Sequence, residues 1–180
     1  MGKFMFHKTE IAGVFIIEPT VFGDERGYLM ETYNERDFEC AGISVKFIQE
    51  NQSLSKKNVL RGLHFQKHYP QAKLVRVISG EVFDVAVDLR VNSTTFSKWV
   101  GVKLSAENRK QLFIPRGLAH GFLVLSESAE FAYKCDEFYH PTDEGGIRWD
   151  DPTIGVKWPE SDNRYLLSEK DQKWPFLKTE

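Results

Sequence analysis

The stretch KLVRVISGEVFDVAVDLR, residues 73–90, restricts the fold more than any other part of the chain. Successive side chains on a strand face opposite sides, so period-two alternation marks sheet. Phe83, Val85, Val87 and Leu89 fall on one face, and Val82, Asp84, Ala86 and Asp88 fall on the other. Ser79 and Gly80 supply a turn, so the whole reads as a β-hairpin. Further short strands are expected at GVFIIEP, KFIQENQ, FSKWVGVKL, QLFIP, GFLVLSE and EFAYKCDEFY, separated by Gly, Pro, Asn or Ser. Many short strands at this spacing predict an all-β sandwich or barrel. Helix is scarce. NERDFECAG, 34–42, is the best candidate, with Asn34 as its cap and Gly42 as its stop. From residue 159 onward the tail reads as loop, with one helical turn expected near LLSEKD.

No repeat, low-complexity stretch or linker divides the 180 residues, which read as a single domain over 1–180, large enough to bury a substantial core. With 24 basic and 26 acidic residues the net charge is −2, and the adjacent lysines of SKKN read as a solvated loop. No nucleic-acid partner is expected. Cys40 and Cys135 lie far apart, outside any Cys-x-x-Cys spacing, and read as reduced thiols of a cytoplasmic protein. No apolar run has signal-peptide or membrane-spanning quality, so neither secretion nor a membrane partner is expected.

Chemistry concentrates in two segments. VLRGLHFQ, 59–66, interrupts the start of a strand with Arg61, Gly62 and His64, and FIPRGLAHGF, 113–122, places His120 just after a glycine turn. These histidines can hold a metal, move a proton or fill a core. PRGLAHG resembles the second motif of the cupin superfamily, Pro-x-Gly-x-x-His, whose histidine points into a small β-barrel. Metal cupins add His-x-His and a Glu in the first motif. Here that place reads His64-Phe65-Gln66, with His68 four positions after His64. A divalent first-row ion wants three or four N, O or S ligands, so no metal is expected. A histidine beside a carboxylate suits a general base instead, its unperturbed pKa lying near ~6.5. Arg61 and His64 are three apart and would face opposite sides of an ideal strand. If both meet one ligand, Gly62 permits a bulge or the strand begins after it; otherwise Arg61 reaches a partner chain's site. Read alone, Tyr133 is a core tyrosine, Lys73 an exposed strand-end lysine, Asp171 a loop or helix-end acid and Arg61 a surface arginine.

Taken together, FGDERGYLMETYNE, FIQENQSLSKKNVLRGLHFQ, QAKLVRVISGEVFDVAVDLR, VGVKLSAENRKQLFIPRGLAHGF, EFAYKCDEFYHPTDEGGIRWDDP and IGVKWP resemble the dTDP-4-dehydrorhamnose 3,5-epimerase family from about residue 9 to 171. The resemblance implies a metal-free, cupin-like β-barrel (jelly roll) with a few short helices, needing no cofactor and usually a homodimer. Its substrate would be dTDP-4-dehydro-6-deoxy-D-glucose, inverted at C3 and C5 on the way to dTDP-L-rhamnose. By motif position, His64 matches the family's base, Asp171 the carboxylate that orients it, Tyr133 the acid on the opposite face and Lys73 a cation near the ketone oxygen. His120 matches a residue lining the same pocket, and Arg61 a diphosphate contact. Arg26, Glu31, Gln49, Asn51, Tyr139, Glu144 and Lys170 match substrate-binding positions. Next to Tyr28 the family often carries a second aromatic, where this chain has Leu29.

Overall fold

The computed structural model describes residues 3–160 and 164–178. Among the described residues, thirteen strands and two short helices follow in the order β1 (Phe4–Lys8), β2 (Phe15–Pro19), β3 (Val21–Asp24), β4 (Gly27–Met30), α1 (Glu35–Cys40), β5 (Gln49–Lys56), β6 (Leu60–Gln66), β7 (Lys73–Ser79), β8 (Glu81–Asp88), β9 (Trp99–Ser105), β10 (Gln111–Ile114), β11 (Leu118–Val124), β12 (Ser128–Cys135), β13 (Glu144–Gly146) and α2 (Glu169–Lys173). One sheet runs β1-β2-β10-β7-β12-β5, a second runs β13-β6-β11-β8-β9, and β3 and β4 form a separate ribbon. The all-β expectation is met, and α1 and α2 stand where helix was expected. Asn34 caps α1 by accepting from the Asp37 N–H, and Ser168 caps α2 by accepting from the Asp171 N–H. Residues 161–163, part of the expected C-terminal loop, lie outside the described residues.

Alternation explains the layers. Val75 and Val77 of β7, Leu112 and Ile114 of β10 and Phe131 of β12 point between the sheets, where they meet Val82, Ala86, Val102, Leu104, Phe122 and Val124. The opposite faces are also covered. Phe4, Ile17, Leu74 and Phe113 pack under Phe38 of α1, and Val85, Val87 and Ala119 pack against Leu63, Ile147 and Ile154. With both faces buried, β11 reads as a nearly continuous apolar run. Each such side chain larger than alanine contributes about 1.5–3 kcal/mol over its exposed state.

Residues 73–90 do not form the expected hairpin. Strand β7 pairs with β10 and β12, and β8 pairs with β11 and β9, so Ser79-Gly80 carries the chain from one sheet to the other. Strand β8 needs cover on both faces, which a paired ribbon of β7 and β8 would leave unmet; crossing the corner places its two faces in two different cores. Several strands also run differently from their expected spans. Strand β11 starts early enough to include His120, and β1, β3, β4 and β13 carried too few alternating residues to stand out.

The Arg61–His64 spacing is resolved by a bulge. His64 pairs with His120 and Arg61 with Phe122, so two residues of β6 oppose the single Gly121 of β11. Gly62 has φ +125°, and a Cβ there would lie 2.6 Å from Gly121 Cα and 2.8 Å from the His120 carbonyl oxygen. A side chain at Gly121 would meet the Arg61 carbonyl oxygen at 2.6 Å. Two facing glycines thus allow the close approach that turns Arg61 and His64 to one side.

Candidate active site

At one end of the inter-sheet space the inward positions change from apolar to polar. On β12 the inward series runs Phe131, Tyr133; on β11 it runs Phe122, His120; on β7 it runs Val75, Lys73. With Arg61 and His64 from β6 and Ser53 from β5, these residues line a cavity of about 190 Å³. Its two walls belong to different sheets: His64, His120 and Arg61 to one, Tyr133, Lys73 and Ser53 to the other.

His64 Nε2 bonds Asp171 Oδ1, delivered from behind the wall by α2. Asp171 is buried, and burial raises its carboxyl; donors from His64, Ser168 and Trp174 outweigh this and hold it below the ordinary carboxylate range. His64 Nδ1 lies 4.0 Å from Glu144 Oε1. Glu144 accepts from Tyr139 Oη at 2.7 Å and pairs with Lys170. Burial raises its carboxyl too, but Lys170 and Tyr139 bring it below the ordinary value. In return the Tyr139 phenol, donating to Glu144, is pushed up to about 12.

Across the cavity, burial raises the Tyr133 phenol, against a hydrogen bond with Asn51 and the charge of Arg61. Tyr133 therefore keeps its proton at neutral pH. Asn51 stands directly opposite Tyr133 in the β5–β12 ladder. Burial pulls the Lys73 ammonium below the ordinary lysine value, while Cys135, Asp84 and Glu144 draw it back up. It lies 5.9 Å from the Tyr133 ring centroid. His120 Nε2 bonds Asp84 Oδ2 at 2.9 Å, with Asp84 fully buried. Arg61 Nε donates to Ser55 Oγ at 3.0 Å.

Thus His64, Asp171, Tyr133, Lys73, His120 and Arg61 come together at the cavity, with Asn51 beside Tyr133 on the neighbouring strand. At its rim Gln49 accepts from the Tyr139 N–H at 3.0 Å, beside Glu144 and Lys170. Arg26 and Glu31 are not brought in. Arg26 sits on the β3–β4 turn with 89% of its side chain exposed, bonded to Asp24, and Glu31 follows β4 and pairs with Lys3. Sequence reasoning missed Ser53 and Trp174 as neighbours of the site and gave Asp84 a place on a strand face but no partner. The inward alternation of β5 and β8 was the available signal for Ser53 and Asp84. Among the described residues no three His, Cys, Asp or Glu side chains converge as metal ligands.

Such a cavity can take a proton from one face of a substrate and return one from the other, beside a buried cation able to stabilise negative charge on an oxygen. Residues 8–179 match the sequence profile described as dTDP-4-dehydrorhamnose 3,5-epimerase. The chain belongs to this family. Its relatives include the dTDP-4-dehydrorhamnose 3,5-epimerases of Salmonella typhimurium, 58% identical over 94% of this chain and 93% of that one, and of Methanothermobacter thermautotrophicus, 56% identical over 99% and 97%. A crystal structure of the Legionella pneumophila dTDP-6-deoxy-D-glucose-3,5-epimerase in complex with dTDP-4-keto-L-rhamnose is 48% identical, with a TM-score of 0.93 over 96% of this chain and 92% of that one. The family's enzymes are isomerases, and the cupin-like fold read from PRGLAHG agrees with that of its solved members.

Proposed function

We propose that this protein is a dTDP-4-dehydrorhamnose 3,5-epimerase acting on dTDP-4-dehydro-6-deoxy-D-glucose. The observation that carries the reading is the placement of the His64–Asp171 pair and Tyr133 on opposite walls of one cavity, with Lys73 beside them. C3 and C5 both flank the C4 ketone, so one base and one enolate-stabilising cation can serve both centres. His64 removes the proton, Asp171 orients the imidazole and balances its positive charge, and Lys73 faces the oxygen on which the enolate charge develops. Its ammonium is desolvated, so its field at that oxygen is strong. Tyr133, protonated at neutral pH, returns a proton from the other side and so inverts the centre.

The cavity holds a hexose and leaves the nucleotide outside, where Arg61 meets the diphosphate by charge-assisted hydrogen bonds. His120, Gln49, Asn51, Tyr139, Glu144 and Lys170 hold the rest of the substrate. Arg26 and Glu31 complete the site of a second copy in a homodimer, a reading supported by their separation from this chain's own cavity and by the exposure of Arg26. We place the enzyme in the cytoplasm as one domain; its two free cysteines support this location.

Incubation with the 4-keto substrate in deuterium oxide, with metal chelated, tests the reading. Deuterium is expected at C3 and C5 of a product resolved by proton NMR, and its absence at both carbons refutes epimerase activity. His64→Asn is expected to slow exchange by at least ~10²-fold, the lower end of what a positioned base contributes.

A further inference from the structure

Trp174 follows α2 directly and carries no role in the chemistry above. Its indole Nε1–H donates to Asp171 Oδ1 at 3.3 Å, the same oxygen that bonds His64 Nε2. The indole stands edge-on to the imidazole, with centroids 6.2 Å apart and planes at 68°. Gly146 forms its seat, since a Cβ there would come within 2.3 Å of Trp174 Cε2. Gly146 is also the residue paired with His64 across β13 and β6. One residue beyond the indole, the Pro175 carbonyl accepts from the Arg148 N–H at 3.1 Å and fixes the chain. The histidine, its carboxylate and the indole are therefore one packed unit built from β6, β13 and the C-terminal segment.

We propose that Trp174 is a positioning residue for the base, its N–H holding Asp171 Oδ1 in line with His64 and sharing the charge the carboxylate offers the imidazole. The inference rests on the reading of His64 as the base. A second donor on one carboxylate oxygen draws electron density from the first bond. Among the other groups facing the unit, Glu144 Oε1 comes within 4.0 Å of His64 Nδ1, the ring nitrogen not bonded to Asp171. Glu144 of β13 is paired with Lys170 of α2, whose Nζ lies 5.7 Å from the indole centroid, and His120 of β11 is paired with Asp84 of β8. Lys73 of β7 and Tyr133 of β12 stand on the opposite wall. Burial of Asp171 makes each of its few donors count.

Trp174→Phe tests this, because phenylalanine keeps an aromatic ring beside Gly146 while losing the N–H donor along with the second ring of the indole. Trp174 is only partly buried, so this large-to-small change is expected to lower the melting temperature by no more than about 5 °C and to leave KM within about twofold of the parent. The acid limb of the kcat/KM profile is expected to move up by about half a pH unit, since a carboxylate freed of one donor supports a protonated partner to higher pH. A second measurement needs no variant to be active. In protein labelled with ¹⁵N-tryptophan, the Trp174 indole resonance, identified by its loss in Trp174→Phe, should titrate with the midpoint of that limb and stop doing so in Asp171→Asn. An unmoved limb in folded Trp174→Phe, or an indole resonance flat across the limb, overturns the proposal. His64→Asn assayed alongside separates the two readings: retained exchange refutes the base, whereas lost exchange with an unmoved Trp174→Phe limb refutes only the role of Trp174.

Discussion

Gly62→Ala is the substitution through which fold and site fail together. Gly62 sits at φ +125°, in the region that favours glycine, and a Cβ there meets Gly121 Cα at 2.6 Å and the His120 carbonyl oxygen at 2.8 Å. The backbone conformation alone costs an alanine about 1–3 kcal/mol. Both crowding atoms are backbone and cannot rotate away, so β6 and β11 must part at the bulge, which adds about 1–3 kcal/mol of overpacking. At about 2–4 °C per kcal/mol for a domain of this size, the melting temperature should fall by roughly 5–20 °C. Gly27→Ala is the matched control: its φ is +132°, but nothing lies within 4 Å of its Cβ, so it pays the conformational cost without the crowding. The difference between the two melts isolates the crowding. His64 is two residues away, so the folded fraction should also lose exchange by ~10²-fold, the cost of about 1 Å of misplacement. Calorimetry and deuterium exchange read both quantities. Equal melts for Gly62→Ala and Gly27→Ala, or unchanged exchange in Gly62→Ala, would refute the reasoning.

Lys73→Met should abolish exchange yet stabilise the fold. Burial lowers the Lys73 ammonium, so between its folded value and the ordinary ~10.4 the unfolded state binds more protons and stability rises with pH; removing the charge should raise the melting temperature at pH 7 and flatten that rise. A lower melting temperature for a folded Lys73→Met would contradict it. Asp88→Asn tests the opposite sign. Asp88 is fully buried, where desolvation raises its carboxyl, but Arg90, Ser93, Thr95 and the Arg90 N–H outweigh this and depress it strongly. Its contribution is complete above the unfolded value near ~3.9 and is lost as pH falls below that. The variant should therefore cost about 1–3 kcal/mol in urea denaturation at pH 7 and markedly less at pH 3, whereas a pH-independent difference would count against the charge.

Legibility followed the length of the pattern. Residues 81–88 alternate long enough to show β8 and to assign Val82 and Ala86 to one core and Val85 and Val87 to another. The partner of β8 was not legible, because a tight turn at Gly80 serves a hairpin and a corner between sheets equally well. Short elements such as β13, three residues with two glycines, carry no periodic signal, although they place Glu144 and seat Trp174. The motifs identified His64 and His120, and the family resemblance named Asp171 as the carboxylate for His64, but nothing in the sequence paired His120 with Asp84. Asp171 lies 107 residues from His64 and Asp84 lies 36 from His120, separations that only the tertiary structure closes.

The two histidines, paired directly across β6 and β11, end with different carboxylates, and this separation favours His64 over His120 for the proposed role of base. His120 and Asp84 both arise from adjacent strands of one sheet, so their geometry is set by the ladder and the pair is buried. His64 keeps 27% of its side chain exposed toward the cavity, while its carboxylate comes from a five-residue helix outside the sheet. A base must move a proton to and from substrate, which needs access. Its carboxylate must stay put, which needs the Ser168 cap, the Trp174 donor and the clamp at Pro175. In the proposed mechanism the C-terminal segment therefore supplies what the two sheets do not, an orienting acid reached from behind the wall, which leaves the inward face of His64 open to the cavity.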